Sequence, residues 1–421
     1  MIGSCPGLRG ASTRVQGHYR TDKGRCQVVE QSLSRDGAAP VLALGARTPI
    51  GRMGGALKDL GGVALGAHAV RSVLDAGHGL VPDQALLGCV LQAAQGQNPA
   101  RQAAIRGGAP TTTSGITLND VCLASMSSVS LGALLVRSGH ARAVLVGGFD
   151  SMSRAPHASV VRGGLPVGDA ALVDVLVRDG LWCAYDDQGM GPQADVTTTA
   201  LGISRADQDA LAAASHARAI AARDRGRLAR EIAPIDVRGR TLAQDEGMRA
   251  DSTHEKLGTL RPAFTPDGSI TAGNASQLSD AGAAGIVTSA DRARAAGLDP
   301  LAWVVDHAVV AGPDTSLHRK PAQAARSVLE RHGIAPRDVD LWEINEAFAS
   351  VVLASMADLD IDHARVNVNG GAISLGHPLG ASGFRLVLTL ALEMAERGAT
   401  LGVAAICGGG GQGEAVLLAR P

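Results

Sequence analysis

Cys122 is the first residue in the chain whose type and position suggest covalent chemistry. It lies between a predicted strand, residues 115–119, and a predicted helix that spans residues 122–138. A thiol at the N-terminus of a helix faces the positive end of the macrodipole, which lowers the thiol pKa and favours the nucleophilic thiolate. The small apolar residues around Cys122 equally fit a core cysteine, because cysteine is among the most buried residue types. Its chemistry therefore depends on a partner base.

His377 is the candidate for that base. It stands among five glycines in residues 367–383, and glycines allow tight turns and close approach to a ligand. A lone histidine is more often structural, but His377, like Cys122, follows a predicted strand and precedes a predicted helix. Open α/β sheets place their sites at the carboxyl ends of the strands, so the two side chains can meet there. An imidazole beside a thiol would complete its activation.

Cys407 opens a third candidate segment, the glycine-rich run of residues 407–413. This run satisfies the pattern GxGxxG, which in dinucleotide-binding proteins leads into a helix. Here the next predicted element is a strand, residues 414–419, so we reject a dinucleotide site. We interpret the run as a tight hairpin whose backbone N–H groups can face an oxyanion.

The predicted elements around these residues form two series with the same order. The first series alternates strands and helices over residues 41–46, 62–76, 86–92, 99–106, 115–119, 122–138 and 143–149. The second covers residues 301–310, 321–332, 339–344, 346–358, 364–368, a helix after Gly376, and strands at 400–407 and 414–419. Alternating strands and helices indicate an α/β fold with a largely parallel sheet. The repeated order indicates an internal duplication.

The chain of 421 residues is long enough for two or three domains. We place the N-terminal half at residues 40–158 together with residues 276–298, and the C-terminal half at residues 299–421. Residues 159–275 hold charged helices and a polar stretch, and an insertion of this length predicts a domain that caps a site. Residues 1–39 are rich in arginine and are predicted to be a disordered extension. A transit peptide, or a start codon assigned too far upstream, is the alternative.

The composition argues against several classes of protein. A net charge of −1 does not suit a chain that binds nucleic acid. No apolar run is long enough to span a bilayer. The six cysteines are scattered without a CxxC pair, so neither a disulfide framework nor a zinc site is indicated. We therefore expect a soluble, cytoplasmic chain with no metal and with no nucleic-acid or membrane partner.

Nine motifs between residue 40 and the end of the chain resemble, in order, those of the thiolase family. Those that precede the C-terminal half are residues 46–49 (Ala-Arg-Thr-Pro), 96–102 (Gly-Gln-Asn-Pro-Ala-Arg-Gln), Cys122, 151–157 (Ser-Met-Ser-x-Ala-Pro-His), 260–264 (Leu-Arg-Pro-Ala-Phe) and 271–276 (Thr-Ala-Gly-Asn-Ala-Ser). Those in the C-terminal half are residues 345–348 (Asn-Glu-Ala-Phe), 376–378 (Gly-His-Pro) and 407–411 (Cys-x-Gly-Gly-Gly). One such motif alone is weak evidence for the family, whereas nine motifs in the same order are specific evidence.

The resemblance implies a five-layered αβαβα fold of two similar mixed-sheet halves, with an inserted loop domain over the site. It implies an acyl-CoA:acetyl-CoA C-acyltransferase that works through a cysteine acyl-enzyme. Such an enzyme condenses two acetyl-CoA to acetoacetyl-CoA or cleaves 3-ketoacyl-CoA by thiolysis. Coenzyme A is then substrate and product, so no cofactor is required. A homodimer or homotetramer, and a place in fatty acid metabolism such as β-oxidation, are also implied.

The resemblance also implies a role for each catalytic residue. Cys122 would be the nucleophile, and His377 would accept its proton and contribute to one oxyanion hole. Asn345 would hold a water that supplies another donor to that hole. Cys407 would remove or return the α-proton of the second acetyl-CoA. The backbone N–H groups of Cys122 and Gly409 would form the second oxyanion hole.

Four further residues are implied to bind the CoA ester. Ser276 and Met190 would line the pantetheine channel. Phe348 and Ala275, which belong to two of the matching motifs, would contact the substrate beside them.

The sequence departs from the family pattern at three places. Ser125 stands where a glycine usually follows the nucleophile by three residues. Gly189 precedes Met190 where short-chain members often have a histidine, which could leave room for a larger or branched acyl group. Residues 317–321, Leu-His-Arg-Lys-Pro, replace a Gly-Pro stretch, and we expect this to alter a loop rather than the chemistry.

Other functions remain as alternatives. A ketoacyl synthase shares the fold and the nucleophile, but it generally uses two histidines, or His and Asn, so Cys407 argues against it. A degenerate thiolase-like protein that carries acyl-CoA or lipids has no need of Cys122, Asn345, His377 and Cys407 together. A metal site built from the same cysteines and histidine matches no standard ligand spacing.

Overall fold

The structure is a computed structural model that describes residues 37–165 and 167–421. Most of the predicted N-terminal extension, residues 1–36, lies outside the described residues. Its last three residues belong to the fold, because the carbonyl groups of Gly37 and Ala39 accept backbone N–H groups of Asp291 and Ala290 at 3.1 and 3.0 Å.

The strands of the described residues are numbered in chain order. They are β1 Pro40–Arg47, β2 Gly51–Arg52, β3 Gln84–Gly88, β4 Ser114–Leu118, β5 Ala143–Ser151, β6 His157–Ala158, β7 Val173–Asp174, β8 Trp182–Cys183, β9 Gln188–Gly189, β10 Ile235–Val237, β11 Arg240–Leu242, β12 Ser279–Ser289, β13 Ala302–Ala311, β14 Leu341–Ile344, β15 Leu401–Gly408 and β16 Gln412–Ala419.

The α-helices are numbered in the same way. They are α1 Gly62–Ala76, α2 Pro99–Arg106, α3 Ala124–Arg137, α4 Met190–Ala200, α5 Arg205–Asp224, α6 His254–Gly258, α7 Ala290–Ala295, α8 Lys320–Arg331, α9 Ala349–Leu359, α10 Ala372–Leu375 and α11 Leu379–Arg397. No helix of the described part of the chain combines the length and the apolar character needed to cross a membrane.

The two halves repeat one order of strands with one set of directions. In the N-terminal half β1, β12 and β5 are antiparallel neighbours, and β3 and β4 follow β5 in parallel. In the C-terminal half β13, β16 and β15 are antiparallel neighbours, β14 follows β15 in parallel, and Val366 forms a parallel bridge with Trp342 of β14. The predicted duplication is confirmed. The prediction of a largely parallel sheet is wrong. The strands of each half pair in both parallel and antiparallel directions, as the family resemblance implies.

The pairing of β1 with β13 joins both halves into one ten-stranded sheet. α3 and α11 contact strands of both halves and therefore form the layer between them, while α1 and α2 cover one outer face and α8 and α9 the other. All residues from Leu379 to Met394 of α11 are buried. A Cβ atom on Gly383 would lie 2.5 Å from the backbone nitrogen of Met126. The first turns of α3 and α11 are thus in direct contact, and this places Cys122 near His377.

Three predicted elements are corrected by local contacts. The predicted strand at residues 364–368 is a 3-10 turn, His363–Arg365, followed by the single bridge at Val366. The strand predicted at residues 86–92 ends at Gly88, because the backbone N–H groups of Val90 and Leu91 turn away from β4 and donate to Asp150. The helix predicted from residue 346 begins at Ala349, since the preceding backbone is extended and pairs with another segment.

The region between the halves is tied to them by buried charged side chains. Arg47 of β1 donates to Glu231 at 2.8 Å and to Asp245 at 2.7 Å, and all three side chains are almost fully buried. Ser215 of α5 donates to Glu346 at 2.7 Å. A buried arginine needs such partners, because an unpaired buried charge is strongly unfavourable. The boundaries given for this region and for the two halves stay a prediction.

Candidate active site

A cavity of about 60 Å³ lies where the starts of α3 and α11 meet the hairpin between β15 and β16. Seven of the residues predicted from the sequence line it, namely Cys122, Met190, Ser276, Phe348, His377, Cys407 and Gly409. They come from both halves and from the inserted region. Within residues 37–165 and 167–421, no three side chains of His, Cys, Asp or Glu form a set that could hold a metal ion.

Two predicted residues lie beside the cavity rather than in its lining. Asn345 directs its Nδ2 towards Nε2 of His377 at 3.4 Å. Its Oδ1 atom is buried and has no hydrogen-bond partner within the described ranges, so it can accept a hydrogen bond from a water or a substrate. Ala275 forms an antiparallel bridge with Phe348. It therefore lies beside Phe348 and outside the cavity lining, and the substrate contact assigned to it stays a prediction.

Cys122 is held in a strained turn before α3. Val121 has a φ of 48°, which is unusual for a β-branched residue and costs conformational energy. The side chain of Asn119 stabilises the turn by accepting the N–H of Val121 at 3.1 Å. α3 begins at Ala124, so the predicted position of Cys122 between a strand and a helix is confirmed.

The predicted direction of the Cys122 pKa shift is wrong. Burial raises the pKa of the Cys122 thiol to about 12. Backbone N–H groups of Gly409 and of Cys122 itself donate to the sulfur and lower the pKa by less, while Asp150 and Asp120 raise it further. Desolvation therefore outweighs the helix terminus. The thiol is protonated at rest and needs a base when it attacks.

His377 has the hydrogen bonds of a neutral base. Its Nδ1 lies 2.6 Å from Oγ of Ser382, and that hydroxyl donates its own proton to the carbonyl of Pro378 at 2.8 Å. The Ser382 oxygen therefore accepts the Nδ1–H proton, which leaves the lone pair on Nε2. Burial, with repulsion from Arg385, lowers the pKa of His377 to about 3. The short helix α10, rather than the predicted strand, precedes this residue.

Cys407 lies at the end of β15, opposite Gly413 of β16. The hairpin predicted for this run is confirmed, and Gly410 and Gly411 close it with φ values of 79° and 74°, which glycine adopts readily. The Cys407 side chain is buried, and burial together with the nearby Cys122 raises its pKa well above the usual range. Cys407 is therefore a protonated thiol that can donate a proton within the cavity.

The three departures from the family pattern have different structural consequences. Ser125 is buried, and its hydroxyl accepts the backbone N–H of Phe384 at 2.9 Å, so it links α3 to α11. A Cβ on Gly189 would lie 3.3 and 3.8 Å from ring carbons of Pro192, which is a tight contact, so the room for a larger acyl group stays a prediction. Leu317 lines the cavity. This stretch therefore borders the site, and the expectation that it alters a loop rather than the chemistry stays a prediction.

Five lining residues were not found by the sequence analysis, namely Gly180, Leu181, Leu317, Ala347 and Leu379. Ala347 and Leu379 are neighbours of predicted residues in sequence, so adjacency was an available signal. Gly180 and Leu181 belong to no motif. The fold places them at the cavity through the inserted region, which sequence spacing does not encode.

The two pKa shifts predict how Cys122 reacts with iodoacetamide. Because the pKa of Cys122 is about 12 and that of His377 about 3, no thiolate–imidazolium pair exists at neutral pH. We expect the inactivation rate to rise about tenfold per pH unit, with no plateau below about pH 9. The measurement is loss of activity over time at several pH values, with acetyl-CoA present as the protected control. A plateau near neutral pH would contradict the expectation.

Comparison with known proteins gives one consistent family. The family profile "Thiolase, N-terminal domain" matches residues 41–291, and "Thiolase, C-terminal domain" matches residues 298–420. The chain is 45% identical over 390 residues to a probable acetyl-CoA acetyltransferase of Mycolicibacterium smegmatis, covering 90% of this chain and 100% of the relative. It is 45% identical over 391 residues to the acetyl-CoA acetyltransferase of Pseudomonas aeruginosa, covering 90% and 99%.

A solved structure gives the same result. The crystal structure of the Bacillus anthracis acetyl-CoA acetyltransferase matches with a TM-score of 0.87 and 36% sequence identity. The match covers 91% of this chain and 99% of that chain. The similarity therefore extends over both halves and the inserted region.

Proposed function

The chain belongs to the thiolase family, and from this premise we propose how its residues carry the reaction. It is an acyltransferase that condenses two acetyl-CoA to acetoacetyl-CoA, or cleaves 3-ketoacyl-CoA with free CoA, through a cysteine acyl-enzyme. The observation that supports the residue roles is the shared cavity of Cys122, His377, Cys407 and Gly409. Two thiols and one imidazole in a small buried space suit proton transfer around a thioester.

The first half-reaction acylates Cys122. Its sulfur attacks the thioester carbonyl while the thiol proton moves to Nε2 of His377. The protonated His377 and the donor supplied at Asn345 stabilise the oxyanion. When the intermediate collapses, the CoA thiolate leaves and takes a proton from Cys407, whose raised pKa keeps it protonated beforehand.

The second half-reaction forms the carbon–carbon bond. The Cys407 thiolate removes an α-proton from the incoming acetyl-CoA, and the resulting carbanion attacks the acyl group on Cys122. The backbone N–H groups of Gly409 and Cys122 point at the Cys122 sulfur and can stabilise the second oxyanion. The Cys122 thiolate then leaves and recovers the proton held by His377. Thiolysis runs through the same steps in reverse.

A second cavity suits the CoA moiety. It has a volume of about 130 Å³, and its lining includes His216, Arg249, Lys256 and Gln277. Gln277 follows Ser276, which lines the reactive cavity, so consecutive residues of the chain line the two cavities. Basic side chains recognise phosphate groups well. We place the phosphates of CoA beside Arg249 and Lys256, with the pantetheine arm passing Ser276.

Arg249→Ala is expected to raise the KM for CoA about tenfold with little change in kcat. The reason is that one charge-assisted bond to a phosphate contributes roughly 1.5 kcal/mol to substrate and transition state alike. The measurement is steady-state thiolysis at varied CoA. Arg238→Ala is the control, because this exposed arginine of the same region pairs with Asp59 instead. An unchanged KM in Arg249→Ala would place the phosphates elsewhere.

The experiment that tests the proposed function is thiolysis of 3-ketoacyl-CoA esters from acetoacetyl-CoA upward, with free CoA. We expect turnover, and the best chain length shows how much acyl group the cavity admits. Tight CoA binding without turnover of any ester would instead favour the acyl-CoA carrier. Full activity after dialysis against a chelator is expected, because CoA is substrate and product and the proposed steps need no cofactor.

We further propose a homodimer or homotetramer that works in the cytoplasm in fatty acid metabolism such as β-oxidation. The edge strand β4 supports self-association, because β4 pairs with β3 on one side and Ile116 on it is 53% exposed. Exposed strand edges pair readily with other chains. Light scattering after gel filtration gives the mass in solution, and a monomer would contradict the proposal.

A further inference from the structure

Asp150 is a fully buried carboxylate that lies near Cys122, beside the reactive cavity. It lies near the end of β5, two residues after Gly148, where β5 pairs with the last residue of β3. A buried carboxylate is unfavourable unless it is hydrogen-bonded or paired. A carboxylate at this position therefore needs hydrogen-bond donors around it.

The partners of Asp150 come from two separate segments of the chain. Its Oδ1 accepts the backbone N–H groups of Val90 and Leu91 at 3.2 and 3.0 Å, and the thiol of Cys89 at 3.6 Å. Its Oδ2 accepts the N–H of Gly380 at 2.7 Å. The first group lies at the end of β3 in the N-terminal half, and Gly380 lies in the C-terminal half.

Gly380 is in the first turn of α11, three residues after His377. The first N–H groups of a helix have no partner within the helix, and a carboxylate there satisfies them and complements the helix dipole. A Cβ on Gly380 would lie 2.8 Å from Asp150 Oδ2, so the approach is close. Asp150 thus caps, from the other half of the molecule, the helix that begins two residues after the proposed base.

We propose that Asp150 is a positioning residue of the reaction. It holds the turn that contains His377 against the N-terminal half, and this sets the distance from His377 to Cys122. This inference rests on the roles proposed above for His377 and Cys122. Asp150 need not touch the substrate. It joins the segment of the base to the half that supplies the nucleophile through hydrogen bonds to an ionised group, and such bonds are about twice as strong as neutral ones.

The negative charge of Asp150 has a second effect, on the pKa of Cys122, which can be measured separately from positioning. Burial raises the pKa of Asp150 to about 6, against the N–H groups that lower it, so it is ionised at pH 8. Its charge is one of the groups that raise the pKa of Cys122. The other titratable or charged groups around these two side chains are Cys89, Asp120, His377, Cys407 and, through His377, Arg385.

The test compares Asp150→Asn, Asp150→Glu and wild type by thiolysis and by the pH profile of Cys122 alkylation. Asp150→Asn loses the charge and part of the cap. We expect kcat to fall about 10- to 100-fold with KM within twofold, and the alkylation profile to move to lower pH, because a repulsive charge is gone. Asp150→Glu keeps the charge and displaces the carboxylate. For Asp150→Glu we expect a similar fall in kcat, but no shift in the pH profile of Cys122 alkylation.

Asp280→Asn is the matched control. Asp280 is also fully buried and faces Ser151 of β5 from β12, and its carboxylate accepts the N–H of Ser153 at 2.9 Å rather than an N–H of α11. We expect a lowered melting temperature, an unshifted alkylation profile and kcat within about threefold of wild type.

The outcomes separate this inference from the proposed function. Wild-type kcat in Asp150→Glu or in a folded Asp150→Asn overturns the positioning role. So does an equal loss of kcat in Asp280→Asn, which would mark a general effect of core damage. If Asp150→Asn does not fold, Asp150→Glu decides alone. Failure of the proposed function instead appears as absent thiolysis in the wild-type enzyme itself.

Discussion

Replacing Cys122 with serine is expected to abolish formation of the acyl-enzyme. A hydroxyl group is a far weaker nucleophile than a thiol, and the neutral imidazole of His377, with a pKa of about 3, is a weak base for it. We expect thiolysis and condensation to fall by about 10⁴-fold or more, as when a nucleophile is removed from a catalytic set that acts as a unit. Binding of CoA should remain.

Intact-protein mass spectrometry after incubation with acetyl-CoA measures the acyl-enzyme directly. Wild type should gain the mass of one acetyl group, and Cys122→Ser should gain none. Cys183→Ser is the matched control, because Cys183 is a buried thiol outside the cavity lining whose sulfur contacts Asp186 at 3.6 Å. Acetylation of Cys122→Ser at the wild-type level would assign the nucleophile to another residue.

Replacing Cys407 with serine is expected to separate the two half-reactions. Cys122, His377 and Ser382 keep their contacts, and a CoA thiolate with a pKa near that of a free thiol leaves with little assistance. Acylation should therefore stay within about tenfold of wild type. Removal of the α-proton loses its base, and condensation should fall by about 10²- to 10⁴-fold, the usual contribution of a general acid or base.

Exchange of the methyl protons of acetyl-CoA with deuterated water isolates the step assigned to Cys407. Wild type should exchange them, Cys407→Ser should acylate but not exchange, and Cys183→Ser should behave as wild type. The role assigned to Cys407 would be wrong if the serine variant kept full condensation activity. Loss of both acylation and exchange, in a folded protein, would show that the proton given by Cys407 to the leaving CoA thiolate is essential for acylation.

The sequence alone determined the family and the chemical identity of the site. Cys122, Asn345, His377 and Cys407 stand in short motifs whose residue types and order are specific, and the repeat of strands and helices indicated the duplicated fold. The glycine run after Cys407 was assigned to a hairpin because a strand follows it, and β16 confirms this. Such features are local, so they can be recognised without knowing which distant segments come together.

Tertiary structure decided the features that depend on distant contacts. The strand predicted at residues 364–368 is missing because one bridge to Trp342 replaces a full pairing. Ala275 pairs with Phe348, and Leu317 and Leu181 line the cavity, none of which follows from residue spacing. These placements are set by packing between segments that are far apart in the chain.

The protonation states of Cys122 and His377 likewise depend partly on the sequence and partly on the tertiary structure. The helix that follows Cys122 predicted a lowered thiol pKa, yet the fold buries the thiol and brings Asp150 near it, so the pKa rises to about 12. The tautomer of His377 depends on Ser382, and the cap of the helix that follows His377 depends on Asp150 from the other half. Residue identity fixes which groups can react. Desolvation and nearby charges, which depend on the whole fold, decide the protonation state of these groups before the reaction.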